Sequence, residues 1–415
     1  MKNLDNLNAT QTKPHTGPLT GMKVLEMAQI MAGPTCGMML ADMGADVVKV
    51  EKLPGGDDSR SYREPLVNGV SAPFMILNRN KRGIALNLKA PQGREILTSM
   101  VKQSDVLIEN YRRGTLEKLG VGYDVLSAAN PGLIYCAISG YGRSGPYADK
   151  GGFDLIAQGF AGLMSVTGEP GGPPVKTGNS VADMNAGILA VAGITAAYVH
   201  KLKTGQGQIV ETSLMEAALQ QTYWHAATYF ATGESPGPTG SAHLLSAPYQ
   251  AFPTRDGYVN IGGANQANWE RVATVLGHPE WRNDPRFLTN TDRMQNLPAL
   301  TQAMSAILKT RDKADWIAAF DAAGVPAGPV HTIGEALTHP QTLARNMVVE
   351  VVHPQAGATR AIGCPIHFSE TPTQVTRPAP LLGEHSRELL REYGYDDAQI
   401  DGFAAGGVIE EAATP

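Results

Sequence analysis

Cysteine is scarce in this chain of 415 residues: Cys36, Cys136 and Cys364 are an odd set, far apart, with no C-x-x-C pair and no Cys/His spacing. That excludes a disulfide framework and a zinc finger, and predicts buried thiols in a reducing, cytoplasmic compartment. Charge of one sign is lacking too. Lysine and arginine (34) nearly balance aspartate and glutamate (39), for a net charge of −5 spread along the chain, so no basic field marks a nucleic-acid partner. Long hydrophobic runs are also missing. The longest, "ILAVAGITAAYV", falls short of the roughly 20 residues a membrane span requires and predicts a buried helix, with no membrane partner. The opening "MKNLDNLNATQTKPHTG" has neither the apolar centre of a signal peptide nor the arginine-rich pattern of a transit peptide, and predicts a loose lead over residues 1–18. Among the ten histidines there is no H-E-x-x-H or comparable cluster, so no metal site is expected.

What the chain does have is length, 42% hydrophobic content and a repeating alternation. "MKVLEM" reads as a strand, "TCGMMLADMG" as a helix and "ADVVKVEK" as a second strand; "APQGREILTSMVKQS" then gives a helix with Pro91 in its first turn, "DVLIEN" a strand, "GYDVLSAANPG" a helix and "LIYCAISGYG" a strand. Such alternation predicts a doubly wound parallel sheet. Further on, Ser213 and Glu216 have capping-box spacing, which makes Glu216 structural. Composition shifts at "ATGESPGPTGSAHLLSAPYQAF", and the stretch to about 330, with a strand pair around "RDGYVNIGG", reads as a smaller α+β domain.

A sheet of this kind binds ligands beyond the carboxyl ends of its strands. The first strand–helix turn, "MAQIMAGPTCG", contains no G-x-G-x-x-G, which disfavours a nicotinamide enzyme. No G-x-S-x-G elbow supports a hydrolase. Glu51, where a ribose-binding acid would sit, is weak evidence by itself. The remaining candidates are cationic and polar residues near strand ends: Lys52; Arg79, Lys81, Arg82 and Lys89 around "NRNKRGIALNLK"; and Asn110, Tyr111, Arg112, Arg113 and Lys118 in "ENYRRGTLEKLG". They suit the phosphates and base of a nucleotide handle; the alternative is an ordinary solvated rim. Asp183, between "GNSVA" and the long apolar run, has two readings as well: a helix cap, or a carboxylate that does chemistry.

Nine segments, among them "LTGMKVLEMAQIMAGPTCGMMLADMGADVVKVE", "DVLIENYRRGTLEKLG", "GGFDLIAQGFAGLMSVTG", "VADMNAG" and "TGQGQIVETSL", together resemble the class III coenzyme A transferases along nearly the whole chain. The resemblance implies a Rossmann-like large domain over 19–225 and 331–415, built from both chain ends, with a small domain inserted at 226–330, an interlaced ring-like homodimer, and acyl-CoA and small carboxylic acids as partners, with no tightly bound cofactor. It carries the family's nucleophile onto Asp183. It carries coenzyme-binding positions onto Gln29, Met31, Ala32, Lys52, Leu86, Asn87, Leu88, Lys89, Asn110, Tyr111, Arg112, Lys118, Lys150, Gly151, Phe153 and Asp154. The implied reaction moves CoA from an acyl-CoA, succinyl-CoA by overall similarity, to a free acid through an aspartyl anhydride and an aspartyl-CoA thioester. Two features depart from relatives. "TGSAHLLSAPYQ", with His243, lacks the glycine run that closes some family sites, and Phe153 occupies the place where the related α-methylacyl-CoA racemases have a catalytic histidine. Phenylalanine moves no proton, so a racemase is the lesser alternative; a non-catalytic CoA-binding protein is the alternative of another class.

Overall fold

A computed structural model describes residues 16–412, and the chain divides into two compact units. Of the expected lead, residues 1–15 lie outside the described residues. Gly17 is not loose: its N–H donates to Thr20 Oγ1 at 2.9 Å, and a Cβ there would meet the Met43 carbonyl at 2.2 Å.

Of the described residues, the larger unit comprises 16–161, Gly178–Gln221 and 340–412. The elements that build its sheet and frame the cavity are, in order, β1 (Lys23–Glu26), α1 (Ala32–Asp42), β2 (Asp46–Lys52), β3 (Arg82–Leu86), α2 (Pro91–Val101), β4 (Val106–Glu109), β5 (Ile134–Ser139), α3 (Asp154–Phe160), α4 (Val181–Thr204), β6 (Ile209–Ser213), α5 (Leu214–Gln220) and, near the chain end, β7 (Ile409–Glu410). Seven strands form one sheet in the order β7-β3-β2-β1-β4-β5-β6. All are parallel except β7, which pairs antiparallel with β3. The chain winds outward from β1 to β3, then returns to the other side of β1 to lay down β4, so the switch point lies between β1 and β4. Covered on both faces, the strands read as apolar runs. Leu25, Val48, Val50, Ile84 and Leu107 join Ile96, Leu97 and Met100 of α2 in one core.

Glycine sets how closely the helices approach. A Cβ on Gly187 of α4 would lie 2.7 Å from the Ala32 carbonyl of α1, and one on Gly33 would lie 2.0 Å from Ala28 Cβ. Small residues at 182, 186, 187 and 190 let α4 bury one face against α1 and the sheet, and Gly205, at φ 74°, ends the helix in the left-handed region. With 24 residues, α4 is long and apolar enough to cross a membrane by length and composition, yet it packs against α1, α5 and β6. The expectation of a buried helix is only partly met: 39% of its most apolar window is covered within the chain.

The smaller unit takes Thr222–His339, starting before and ending after the expected 226–330, and it also includes Gly162–Thr177, which was expected in the large domain. The Gly240 N–H donates to the Gly168 carbonyl at 2.8 Å, tying the two stretches together. Strands Tyr249–Thr254, Gly257–Gly262 and Ala327–Pro329 form an antiparallel sheet with Gly257–Gly262 central, packed on Trp269, Phe287, Trp316 and Phe320. Val348–His353 and Gly357–Ile362 form a separate antiparallel hairpin in the larger unit.

Candidate active site

Beyond the carboxyl ends of β1, β4 and β5, at the switch point, the larger unit holds a cavity of about 370 Å³. The turn after β1 contributes Gln29, Ile30, Met31 and Ala32; the segment after β4 contributes Asn110, Tyr111, Arg112 and Arg113; the loop after β5 contributes Gly140, Ala148, Lys150, Gly151, Gly152 and Phe153. Asp183 of α4, Leu214 of α5, Asp58, Ile138 and Ser139 complete the lining.

The β1–α1 turn is held from several sides. Asn110 accepts the Gln29 N–H at Oδ1 (2.9 Å) and donates from Nδ2 to the Gln29 carbonyl (2.8 Å). Ile30 sits at φ 67°, a conformation that crowds a β-branched side chain, and its N–H donates to both carboxylate oxygens of Asp57 at 3.1 and 3.2 Å. Asp57 belongs to a buried network: Lys49 Nζ lies 2.8 Å from Asp57 and 3.0 Å from Glu26, and Lys81 Nζ lies 2.7 Å from the other Glu26 oxygen. The side chains of Glu26, Lys49, Asp57 and Lys81 are all 0% exposed. Their two positive and two negative charges cancel, and Lys49 and Lys81 also donate to the Ala28 and Pro34 carbonyls at 3.0 Å. Burial alone would raise Asp57, yet Lys49 and the Ser59 donors hold it down to about 2.

Asp183 stands in the opposite condition. It is the third residue of α4, and its carboxylate does not cap the helix. The cap is Asp154, whose Oδ1 accepts the N–H of Ala182 at 2.9 Å and of Asp183 at 3.4 Å, while Oδ2 accepts from Gln158 Nε2 at 2.7 Å. Among the described residues no hydrogen bond or ion pair reaches the Asp183 carboxylate. Burial first, and the Asp154 charge second, push it up to about 7.

The structure sorts the residues singled out in the sequence. Gln29, Met31, Ala32, Asn110, Tyr111, Arg112, Lys150, Gly151, Phe153 and Asp183 share the cavity. Lys52 does not line it but donates to Gln29 Oε1 at 3.0 Å and pairs with Asp58, both of which do. Leu86 is fully buried in β3 and offers no surface to a ligand. Asn87, Leu88, Lys89 and Lys118 lie outside the lining, with Asn87 bonded to the Val408 and Gly407 carbonyls. Asp154 is also outside it and is spent on α4. The cationic rim is corrected in part: Arg79 is buried against Asp42, Lys81 against Glu26, and Arg82 holds Asp46, Glu388 and Glu392. Glu51 pairs with Arg60 at 2.6 Å and takes the Asp57 N–H, so it serves the fold. Ser213 and Glu216 form the expected cap of α5. Sequence reasoning missed Asp58 and the left-handed backbone of Ile30. Nothing in the type of residue 30 signals a left-handed turn; Asp58, in "GGDDSR" just past β2, stood at a strand end and was open to notice.

A doubly wound sheet with a cation-edged cavity at its switch point and an unpaired, half-buried carboxylate in that cavity defines an α/β enzyme. The chain belongs to CoA-transferase family III, whose family model matches residues 19–386. It is 39% identical over 381 residues to succinate–glutarate CoA-transferase of Agrobacterium fabrum, covering 90% of this chain and 95% of that one. It is 36% identical over 398 residues to succinyl-CoA:glutarate CoA-transferase of Mus musculus, covering 96% and 91% respectively. Among solved structures, a CaiB/BaiF family protein from Brucella suis superposes with a TM-score of 0.82 at 39% identity, covering 91% of this chain and all of that one.

Proposed function

We propose that Asp183 is the nucleophile of a reversible transfer of CoA from succinyl-CoA to a dicarboxylic acid. The observation that carries this reading is the isolation of its carboxylate: half-buried, unpaired, and in one cavity with Arg112, Arg113 and Lys150. One Asp183 oxygen attacks the thioester carbonyl, the C–S bond breaks and CoA leaves as thiolate, giving a mixed acyl-aspartyl anhydride. The thiolate then attacks the aspartyl carbonyl, releasing the first acid and leaving an aspartyl-CoA thioester. The incoming carboxylate runs the same two steps in reverse. One thioester replaces another, so no ATP is needed.

The first turn of α1 supplies what the oxyanions require. Met31 and Ala32 line the cavity, and a helix leaves its first N–H groups without intrahelical acceptors. The amides of α4 do not serve, because Asp154 occupies them. Arg112, Arg113 and Lys150 meet the phosphates, with Lys150 resting 3.6 Å above the Tyr147 ring. The choice of succinyl-CoA and a dicarboxylate rests on the names of the relatives. Racemase chemistry is disfavoured because Phe153, 71% exposed at the start of α3, stands where the base would be.

A homodimer belongs to the same proposal. Met184, Ile188, Val199 and Leu202 on α4, with Leu155, Ile156 and Phe160 on α3, are exposed apolar side chains. A second copy covers such a surface, and sedimentation should give twice the chain mass. The catalytic reading is tested by incubating the protein with succinyl-CoA and trapping with hydroxylamine or borohydride. Modification on the peptide that carries Asp183 is expected; modification confined to another residue overturns the assignment.

A further inference from the structure

We propose that Asp154 is a positioning residue for Asp183: its carboxylate aims the nucleophile by capping α4 and, by standing beside it, favours the acylated over the ionised aspartate. This rests on the reading of Asp183 as the nucleophile. Ser180, at the N-cap of α4, makes no side-chain cap bond. The anion at that terminus comes from 28 residues earlier in the chain, held in place by Gln158 at 2.7 Å. Fixing the Ala182 and Asp183 amides fixes the first turn on which the nucleophile rides.

The second effect follows from charge. A helix N-terminus ordinarily stabilises a carboxylate in its first turn, but Asp154 has already used that positive end. Ionised Asp183 therefore faces a like charge in a partly dry site. When it attacks the thioester, its charge leaves with the CoA thiolate, and the aspartyl anhydride and aspartyl thioester that follow are neutral. The repulsion is present in the resting enzyme and absent in both covalent intermediates. Asp58, Tyr111, Arg112, Arg113 and Lys150 are the other ionisable side chains lining the cavity, and Glu216 of the packed helix α5 is bonded to Ser213. Asp154 is the charged group that acts on Asp183.

The test compares the wild type with Asp154→Asn and Asp154→Ala. An asparagine oxygen can still accept the two amides, and the Gln158 amide can turn to match it, so Asp154→Asn removes charge and keeps the cap; Asp154→Ala removes both. The first readout needs no acyl-CoA: carbodiimide-driven coupling of an amine to the Asp183 peptide, measured by mass spectrometry against pH. Its midpoint should lie near 7 in the wild type and fall by about one pH unit or more in Asp154→Asn. The second is the share of Asp183 trapped as a covalent intermediate with succinyl-CoA, which should drop several-fold in Asp154→Asn. Melting temperature should fall in Asp154→Ala more than in Asp154→Asn. An unmoved midpoint and unchanged trapping in Asp154→Asn overturn the proposal, as does a wild-type midpoint near 4, which requires no variant to fold. If no wild-type Asp183 is ever trapped while the midpoint shifts as expected, the transfer reading fails and the electrostatic coupling stands.

Discussion

Two groups of carboxylates bear on the cavity, one fully buried and one half-buried, and they are built to opposite rules. Under the β1–α1 turn, Glu26 and Asp57 are met by Lys49 and Lys81 in a cluster whose charges cancel. At the start of α4, Asp154 and Asp183 stand together, and among the described residues no salt bridge reaches either. Removing charge from water is costly in both places. In the first, ion pairing and hydrogen bonds offset the cost and the product is a rigid turn; in the second, only Asp154 finds donors, and the cost is left standing on Asp183. A compensated charge holds shape, and an uncompensated one is ready to change its chemical state.

The sharpest way to break the comparison is to neutralise Asp183. Asp183→Asn keeps the shape and should lower kcat by about four orders of magnitude or more, the scale of losing a nucleophile, while CoA still binds by calorimetry. Residual transfer within tenfold of wild type would move the nucleophile elsewhere. Next comes the compensated cluster: Lys49→Met leaves two carboxylates facing one lysine and should destabilise the fold by about 3–5 kcal/mol, read from urea unfolding at neutral pH. A small change there would mean that water or rearrangement meets those charges.

The same Asp183→Asn variant carries a smaller, opposite effect on stability. The folded carboxyl is pushed up to about 7 from an ordinary 3.8, so the folded state holds its proton more tightly than the unfolded chain. Stability is undiminished below about 4, falls as pH rises from there to 7, and stays reduced above. Asparagine never ionises. It should therefore be more stable than wild type at pH 8 by on the order of 2 kcal/mol, with the gap closing at pH 4. An equal gap at both pH values would remove the electrostatic origin.

Much of the fold was open to reading, because the apolar runs of β1 to β5 and the helices between them alternate cleanly. Strand order was not, since it depends on which side of β1 the chain returns to, and no local pattern encodes that. The buried cluster was half visible. Glu26 closes β1 and Lys49 interrupts the apolar run of β2, and they prove to be register partners on adjacent strands; seen singly, neither points to the other. Arg82 looked like a phosphate ligand because its partners Glu388 and Glu392 lie some three hundred positions away in sequence. Asp183 was distinguishable from an ordinary helix cap only through the family's motifs, and the residue that does the capping, Asp154, was assigned instead to the coenzyme.

The finest distinction between the two regions concerns Ile30, where the compensated cluster meets the cavity. Its left-handed backbone stores roughly 1–3 kcal/mol of strain, and the bonds from its N–H to Asp57 keep it there. Glycine adopts the same φ without strain but gains freedom in the unfolded chain and gives up the side chain's packing. Ile30→Gly should thus change unfolding free energy by less than about 1 kcal/mol, because these contributions oppose each other. Its effect should fall on catalysis: with the turn free to leave the left-handed well, Gln29 and Met31 are held less firmly at the cavity wall, and KM for the acyl-CoA should rise several-fold while the Asp183 labelling midpoint stays put. A variant that instead lost several kcal/mol of stability would show that Ile30 is held by packing and that Asp57 is not what keeps the turn.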